Sequence, residues 1–193
     1  MKISEISPNL YLLKFSNQYK ISSTFMRLQE FYESPYETIR DKHFTWDQFF
    51  DVYVKNGRMN YWSQWAGFNV PGHVIRKFFK LFAKELTEKE QELYKLIVPI
   101  IKSKKDFYLI SVYQKTDIRH EEAHGLFYLN IDYKNEVTNL IKAFSLKYFN
   151  ILCNNLAKKG YSKNVFIDEI QAYAIDGNKR KFLRLFKKYR HKT

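Results

Sequence analysis

A chain of 193 residues is enough for one well-packed domain. With 45% hydrophobic and 18% aromatic residues, it is excluded from the disordered class. Its single cysteine, Cys153, excludes an internal disulfide and any cysteine-built zinc site, and a formal charge of +13 asks for a partner or a solvated basic face.

In chain order, Leu10 to Phe15 reads as a short strand of aliphatic and aromatic residues. A helix is expected from Ser22 or Ser23, with Phe25, Leu28, Phe31 and Tyr32 at three- and four-residue steps, ending at Ser34-Pro35. Thr45 caps a second helix whose buried stripe is Phe49, Phe50 and Tyr53, with Asn56-Gly57 as its stop. The stretch from Tyr61 to His73 carries two of the three tryptophans and reads as an aromatic loop that plugs the core or lines a pocket. A basic amphipathic helix follows from Val74 to Phe82. Thr87 and Glu90 then form a capping box that opens a helix to about Ser103. This helix contains the longest apolar run, Leu96 to Ile101, far short of the roughly 18 residues that span a bilayer. Neither a membrane span nor a signal peptide is expected, and a cytoplasmic location follows by default.

Asp106 to Tyr113 is the best strand in the chain. Thr116 and Asp117 supply helix-capping chemistry, and His120-Glu121-Glu122-Ala123-His124 comes next. The pattern H-E-x-x-H sets two imidazoles four residues apart on one helix face, where they grip one metal ion together. Glu121 follows the first ligand, where it can take a proton from a water activated at that metal. Chance alone produces the pattern in a shuffled chain of this composition roughly once in a hundred, so its setting matters. Strand, short turn, motif helix is the setting the chemistry needs. Asp132 to Lys159 reads as one long or broken helix ending at Gly160, and Asn164 to Ile175 as another.

Catalytic zinc takes three protein ligands and an open position. On the Asn164 helix, Asp168 and Glu169 are acids in a mostly apolar stretch, which is rare unless they pair or bind something. At this point the chain resembles the gluzincin-type zinc metallopeptidases, through His120-Glu121-x-x-His124 and Asp168-Glu169-x-Gln171-Ala172. The resemblance covers about a third of the chain. It implies a zincin-like fold, His120, His124 and Glu169 as zinc ligands, Glu121 as general base and a peptide or protein substrate; sequence leaves Asp168 open as the alternative ligand. Tyr173, one turn beyond Glu169, and His73 are candidate donors to an oxyanion. Asp117 or Asp168 would orient an imidazole from behind. Glu122 points roughly 200° away from His120 on a helix, toward solvent or a basic partner.

The C-terminal Lys179 to Lys192 interleaves eight Lys and Arg with Phe182, Leu183, Leu185, Phe186 and Tyr189, a basic amphipathic helix. The favoured reading docks its apolar stripe and leaves its cations in water. A weak contact with nucleic acid or an acidic surface is the other reading. The whole is read as α+β, a predominantly helical single domain over residues 1–178 with a small sheet beside the motif helix, followed by a basic helix or tail over 179–193. The expected activity is that of a zinc-dependent hydrolase, foremost a metallopeptidase. The alternatives are an inactive zincin-like binding protein, a basic nucleic-acid-associated protein, and, ranked last, an iron site using His120 and Glu122.

Overall fold

The structure, a computed structural model, describes residues 1–54, 58–63, 65–104 and 106–190. Its organising element is a four-stranded sheet of β1 (Lys2–Ser7), β2 (Leu10–Lys14), β3 (Gly67–Pro71) and β4 (Tyr108–Val112), in the order β1-β2-β4-β3. β1 and β2 form an antiparallel hairpin, β2 runs parallel to β4, and β3 lies antiparallel to β4 at the free edge. A parallel pair needs a long crossover. Here that crossover contains α1 (Gln18–Glu33), α2 (Trp46–Tyr53), β3, α3 (Gly72–Leu81) and α4 (Glu88–Ser103).

Side chains alternate across a strand, so the sheet has two apolar faces. Tyr11, Leu13, Phe68, Val70 and Leu109 face α1 to α4 and join a large aromatic core with Phe25, Phe31, Phe78 and Phe82. Leu10, Leu12, Tyr108, Ile110 and Val112 face the other way, onto α5 (Ile118–Leu129). Beyond α5 lie α6 (Ile131–Lys142), α7 (Leu146–Lys158), α8 (Phe166–Asp176) and α9 (Arg180–Arg190). They share a second core built from Tyr133, Val137, Ile170, Ile175, Phe182 and Phe186. The architecture is mixed α+β, mostly helical, with helices on both faces of a small sheet. No helix among the described residues is long and apolar enough to cross a membrane.

Several boundaries follow sequence chemistry. Thr45 with Gln48 and Thr87 with Glu90 each form a complete capping box. α1 starts earlier than its apolar stripe suggests, because Asn17 caps it by accepting from Lys20 N–H. The expected stop at Asn56-Gly57 lies outside the described residues; α2 ends at Tyr53. The long helix after Asp132 is broken between Lys142 and Leu146, where Ser145 caps a new start. Two readings need correction. The stretch from Tyr61 to His73 is not simply a loop, since Gly67–Pro71 forms the edge strand β3. Asp117 makes no capping bond, because the 3-10 turn Lys115–Asp117 runs straight into α5 with Asp117 already helical.

The basic C-terminal helix is docked. Phe182, Phe186 and Tyr189 are buried against the second core. Lys188 pairs with Glu136 at 2.6 Å, and Arg190 Nε donates to Glu122 Oε1 at 2.7 Å. Glu122, half-turned from the motif face, is therefore a buried carboxylate tied to α9 rather than a solvated one. That commitment removes it from any iron site with His120. Cys153 is half-buried against the same core.

Candidate metal centre

α5 carries the H-E-x-x-H residues and α8 packs beside it. This pairing turns His120, His124 and Glu169 toward one point, with one ligand atom from each lying within 4.8 Å of the others. Glu169 Oε1 is 3.6 Å from His124 Nε2, and its Oε2 is 3.9 Å from His120 Nε2. These gaps are longer than hydrogen bonds. The three groups face each other without satisfying each other.

Behind each imidazole stands another carboxylate of α8. His120 Nδ1 is 2.7 Å from Asp176 Oδ2, and His124 Nδ1 is 2.9 Å from Asp168 Oδ1. The second contact is close but misaligned for a hydrogen bond, so neither ring nitrogen of His124 has a well-placed partner. With the Nδ1 atoms turned toward carboxylates, the Nε2 lone pairs are directed at the shared point, the arrangement by which outer carboxylates orient metal-bound imidazoles. The Asp168 and Glu169 alternatives thus separate by position: Glu169 faces the cluster and Asp168 backs His124. Asp117 backs no imidazole, and its Oδ2 is buried without a partner.

Burial is deep. His124 is 1% exposed, Glu169 3% and Glu121 6%. Burial pushes the Glu169 carboxyl up to about 7, a rise that His124 and His120 oppose and Asp168 and Glu121 reinforce. At His124 burial disfavours the imidazolium, but Asp168 and Glu169 outweigh it and hold the pKa well above the ordinary value. Glu169 Oε2 and both nitrogens of His124 are buried polar atoms with no hydrogen-bond partner. Of these, His124 Nε2 and Glu169 Oε2 face the shared point, where a cation would satisfy them, and the residues present fit a divalent metal.

The cluster lies in a cavity of about 1240 Å³ that also exposes Glu121, Tyr161, Tyr173 and the β3 residues Gly67 and Asn69. Glu121 is not one of the three converging ligands. Its carboxyl is raised by burial, with His120, His124 and a hydrogen bond from Asn69 pulling the other way. Tyr173 sits where its spacing from Glu169 suggested: its ring is 5.1 Å from that of His120, and its hydroxyl is 3.1 Å from the Tyr161 hydroxyl. His73 is not in the site. It stacks on Tyr128, with Nδ1 3.0 Å from that hydroxyl, and does not line the cavity. A separate groove of about 680 Å³ between α6 and α9 bears Arg180, Lys181 and Arg184 but no converging ligands.

Several residues of the cavity escaped sequence reasoning, among them Tyr161, Asp176, Asn69 and Glu33. Asp176 was legible in principle, lying two helical turns beyond Glu169 on the same face. Asn69 was hidden because its strand was read as loop, whereas Trp65 lines the cavity as the aromatic stretch suggested. Glu33, at the end of α1, enters from the opposite side of the sheet; burial, then Glu169, raises its carboxyl well above the usual range. No local signal marks it.

No family model matches the chain, and neither a curated protein nor a solved structure matches it.

Proposed function

We propose that this protein is a zinc-dependent hydrolase, foremost a metallopeptidase. The observation that carries the reading is the convergence of His120, His124 and Glu169 on one point, where buried atoms of His124 and Glu169 have no hydrogen-bond partner. Two imidazoles and one carboxylate suit zinc, leaving a position open. When bound there, the metal supplies Lewis acidity, acidifying water and polarising a carbonyl oxygen. Glu121, adjacent but outside the ligand set, takes the proton of the attacking water as its oxygen bonds to the carbonyl carbon. Glu121 then returns that proton to the departing amine as the carbon–nitrogen bond breaks. Tyr173 O–H, at the cavity surface beside His120, donates to the carbonyl oxygen as negative charge develops on it. Asp176 holds the His120 imidazole through Nδ1, and Asp168 stands 2.9 Å behind His124 Nδ1 as its charge partner. A cavity of about 1240 Å³ has room for several residues of an extended peptide.

The experiment measures metal content and peptide hydrolysis in protein purified without a histidine tag or chelator. The parent should hold about one zinc per chain and His124→Ala should hold none. Glu121→Gln should keep its zinc and lose turnover by about three orders of magnitude or more. No metal in the parent after zinc is added back, or full turnover in Glu121→Gln, would end this reading.

A further inference from the structure

The carboxylate of Glu121 is fixed by β3 at both of its oxygens. Oε2 accepts a hydrogen bond from Asn69 Nδ2 at 2.9 Å. Oε1 lies so close to Gly67 that a side chain there would overlap it. Asn69 is itself held. Tyr108 of β4 donates its O–H to Asn69 Oδ1 at 2.6 Å. An ionised carboxylate only accepts, so it takes the Asn69 amide N–H, and the Tyr108 hydroxyl, which can donate or accept, donates to the Oδ1 that is left. The direction from Tyr108 through Asn69 to Glu121 is therefore unique.

Register explains the geometry. Asn69 pairs with Ile110, which puts Tyr108 at the diagonal position on the same sheet face. That face is otherwise aliphatic, made of Leu10, Leu12, Ile110 and Val112. Asn69 is 7% exposed and Tyr108 1%. A valine at position 69 would leave the buried Tyr108 hydroxyl and Glu121 Oε2 without these partners. An amide, with one accepting and one donating end, serves the Tyr108 hydroxyl and the Glu121 carboxylate at once.

We propose that Asn69 is a positioning residue for Glu121, with Tyr108 anchoring its amide through Oδ1. The proposal rests on the hydrolytic reading above. A general base transfers a proton over hydrogen-bond reach, and a misplacement of about 1 Å can cost about a hundredfold in rate. Anchoring Oε2 leaves Oε1 as the oxygen that exchanges the proton, always from the same place in the cavity.

The test measures kcat, KM and metal content for the zinc-loaded parent, Asn69→Leu, Tyr108→Phe and the double variant. Asn69→Leu should lower kcat about a hundredfold with KM and zinc unchanged. Tyr108→Phe removes one oxygen from an otherwise intact ring, so it also serves if the Asn69 variant folds poorly; its kcat should fall about tenfold. In the Asn69→Leu background, Tyr108→Phe should change nothing more, because its effect passes through Asn69. Glu121-dependent turnover with kcat indifferent to Asn69 would overturn the proposal and leave the hydrolytic reading standing. Additive losses, or activity lost in step with zinc, would overturn it as well. No turnover in the parent would overturn both together.

Discussion

Two sets of buried charges lie on opposite sides of the sheet, and they are built to opposite rules. On the α1–α4 side, Arg27 and Glu90 close on each other, with Arg27 Nε to Glu90 Oε1 at 2.9 Å and Nη2 to Oε2 at 2.5 Å. Arg27 Nη2 also donates to the Glu85 carbonyl, and Glu90 Oε2 accepts from Thr87 N–H. The guanidinium lies over Phe82 and Trp46 at 4.8 and 4.9 Å. On the α5–α8 side, His120, His124 and Glu169 turn ligand atoms at a common point, and His124 Nε2 and Glu169 Oε2 are left unpaired there. The closed pair satisfies both carboxylate oxygens of Glu90 and two of the three guanidinium nitrogens, leaving Nη1 alone without a partner, and it belongs to the fold. An open cluster of acceptors is a standing demand for a cation.

Breaking the closed pair should have the largest effect on folding. Arg27→Ala strands Glu90 in the core, and removing one partner of a buried pair costs about 3–5 kcal/mol. For a chain of this size that is a fall of roughly 10 °C in Tm, read by thermal unfolding, with zinc content unchanged. A loss below about 1 kcal/mol would mean that Arg27 is not sealed in the native state.

The open cluster should respond with the opposite sign. Glu169→Gln replaces a buried carboxylate that has no donor with a neutral amide of the same shape. Metal binding is lost, yet the metal-free protein at pH 8 should be no less stable than the parent, and more stable by as much as about 1–2 kcal/mol. Chemical denaturation of both metal-free proteins decides it. Destabilisation on the scale of Arg27→Ala would show that Glu169 is a closed structural tie, and the contrast between the two sites would collapse.

The same contrast predicts a pH dependence. Glu169 titrates near 7 in the folded state, raised above its ordinary value, and His124 is raised well above its own. A group whose pKa is raised by folding binds its proton more tightly in the native state, so its contribution is full below the unfolded pKa and vanishes as pH rises through the folded one. Metal-free protein should therefore lose stability from about pH 4.5 to about pH 7 through Glu169, and further as His124 deprotonates. Metal displaces those protons, so the gain in Tm on adding zinc should grow from pH 5 to pH 8. A gain that is flat with pH would count against Glu169 and His124 as ligands.

How much of this was legible in sequence depends on whether the signal was local. The capping boxes at Thr45 and Thr87, the strand at Tyr108 and the motif spacing from His120 to His124 are all written within a few residues. Glu169 stood out because it is an acid in an apolar helix, and its neighbour Asp168 could only be distinguished once α8 was packed on α5. β3 was not legible. Its strand contains Gly67 and ends in Pro71, both poor strand signals, and follows two tryptophans; pairing with β4, some forty residues away, is what makes it a strand. Asn69 was lost with it. The failed cap at Asp117 has the reverse cause: the residue type was right, but a 3-10 turn feeds α5 and leaves no extended residue to act as cap.

The smallest effect expected at the open site belongs to Tyr173. Its hydroxyl and that of Tyr161 are 3.1 Å apart, so one proton is shared between them and one remains to be given to a ligand. Lys159 Nζ lies 4.1 Å from the centre of the Tyr173 ring, and the ring stands edge-on to His120. Both contacts survive loss of the hydroxyl, so Tyr173→Phe should fold and bind zinc as the parent does. A donor in a sealed oxyanion hole contributes about a hundredfold or more. Tyr173 is 38% exposed, and water can take over part of its role. The expected loss is therefore about tenfold in kcat, about 1.4 kcal/mol of transition-state stabilisation, with KM little changed. Tyr161→Phe on the same substrates completes the comparison. If it costs more than Tyr173→Phe, the deeper phenol is the donor and Tyr173 only carries it; if neither lowers kcat, the oxyanion is stabilised without either phenol.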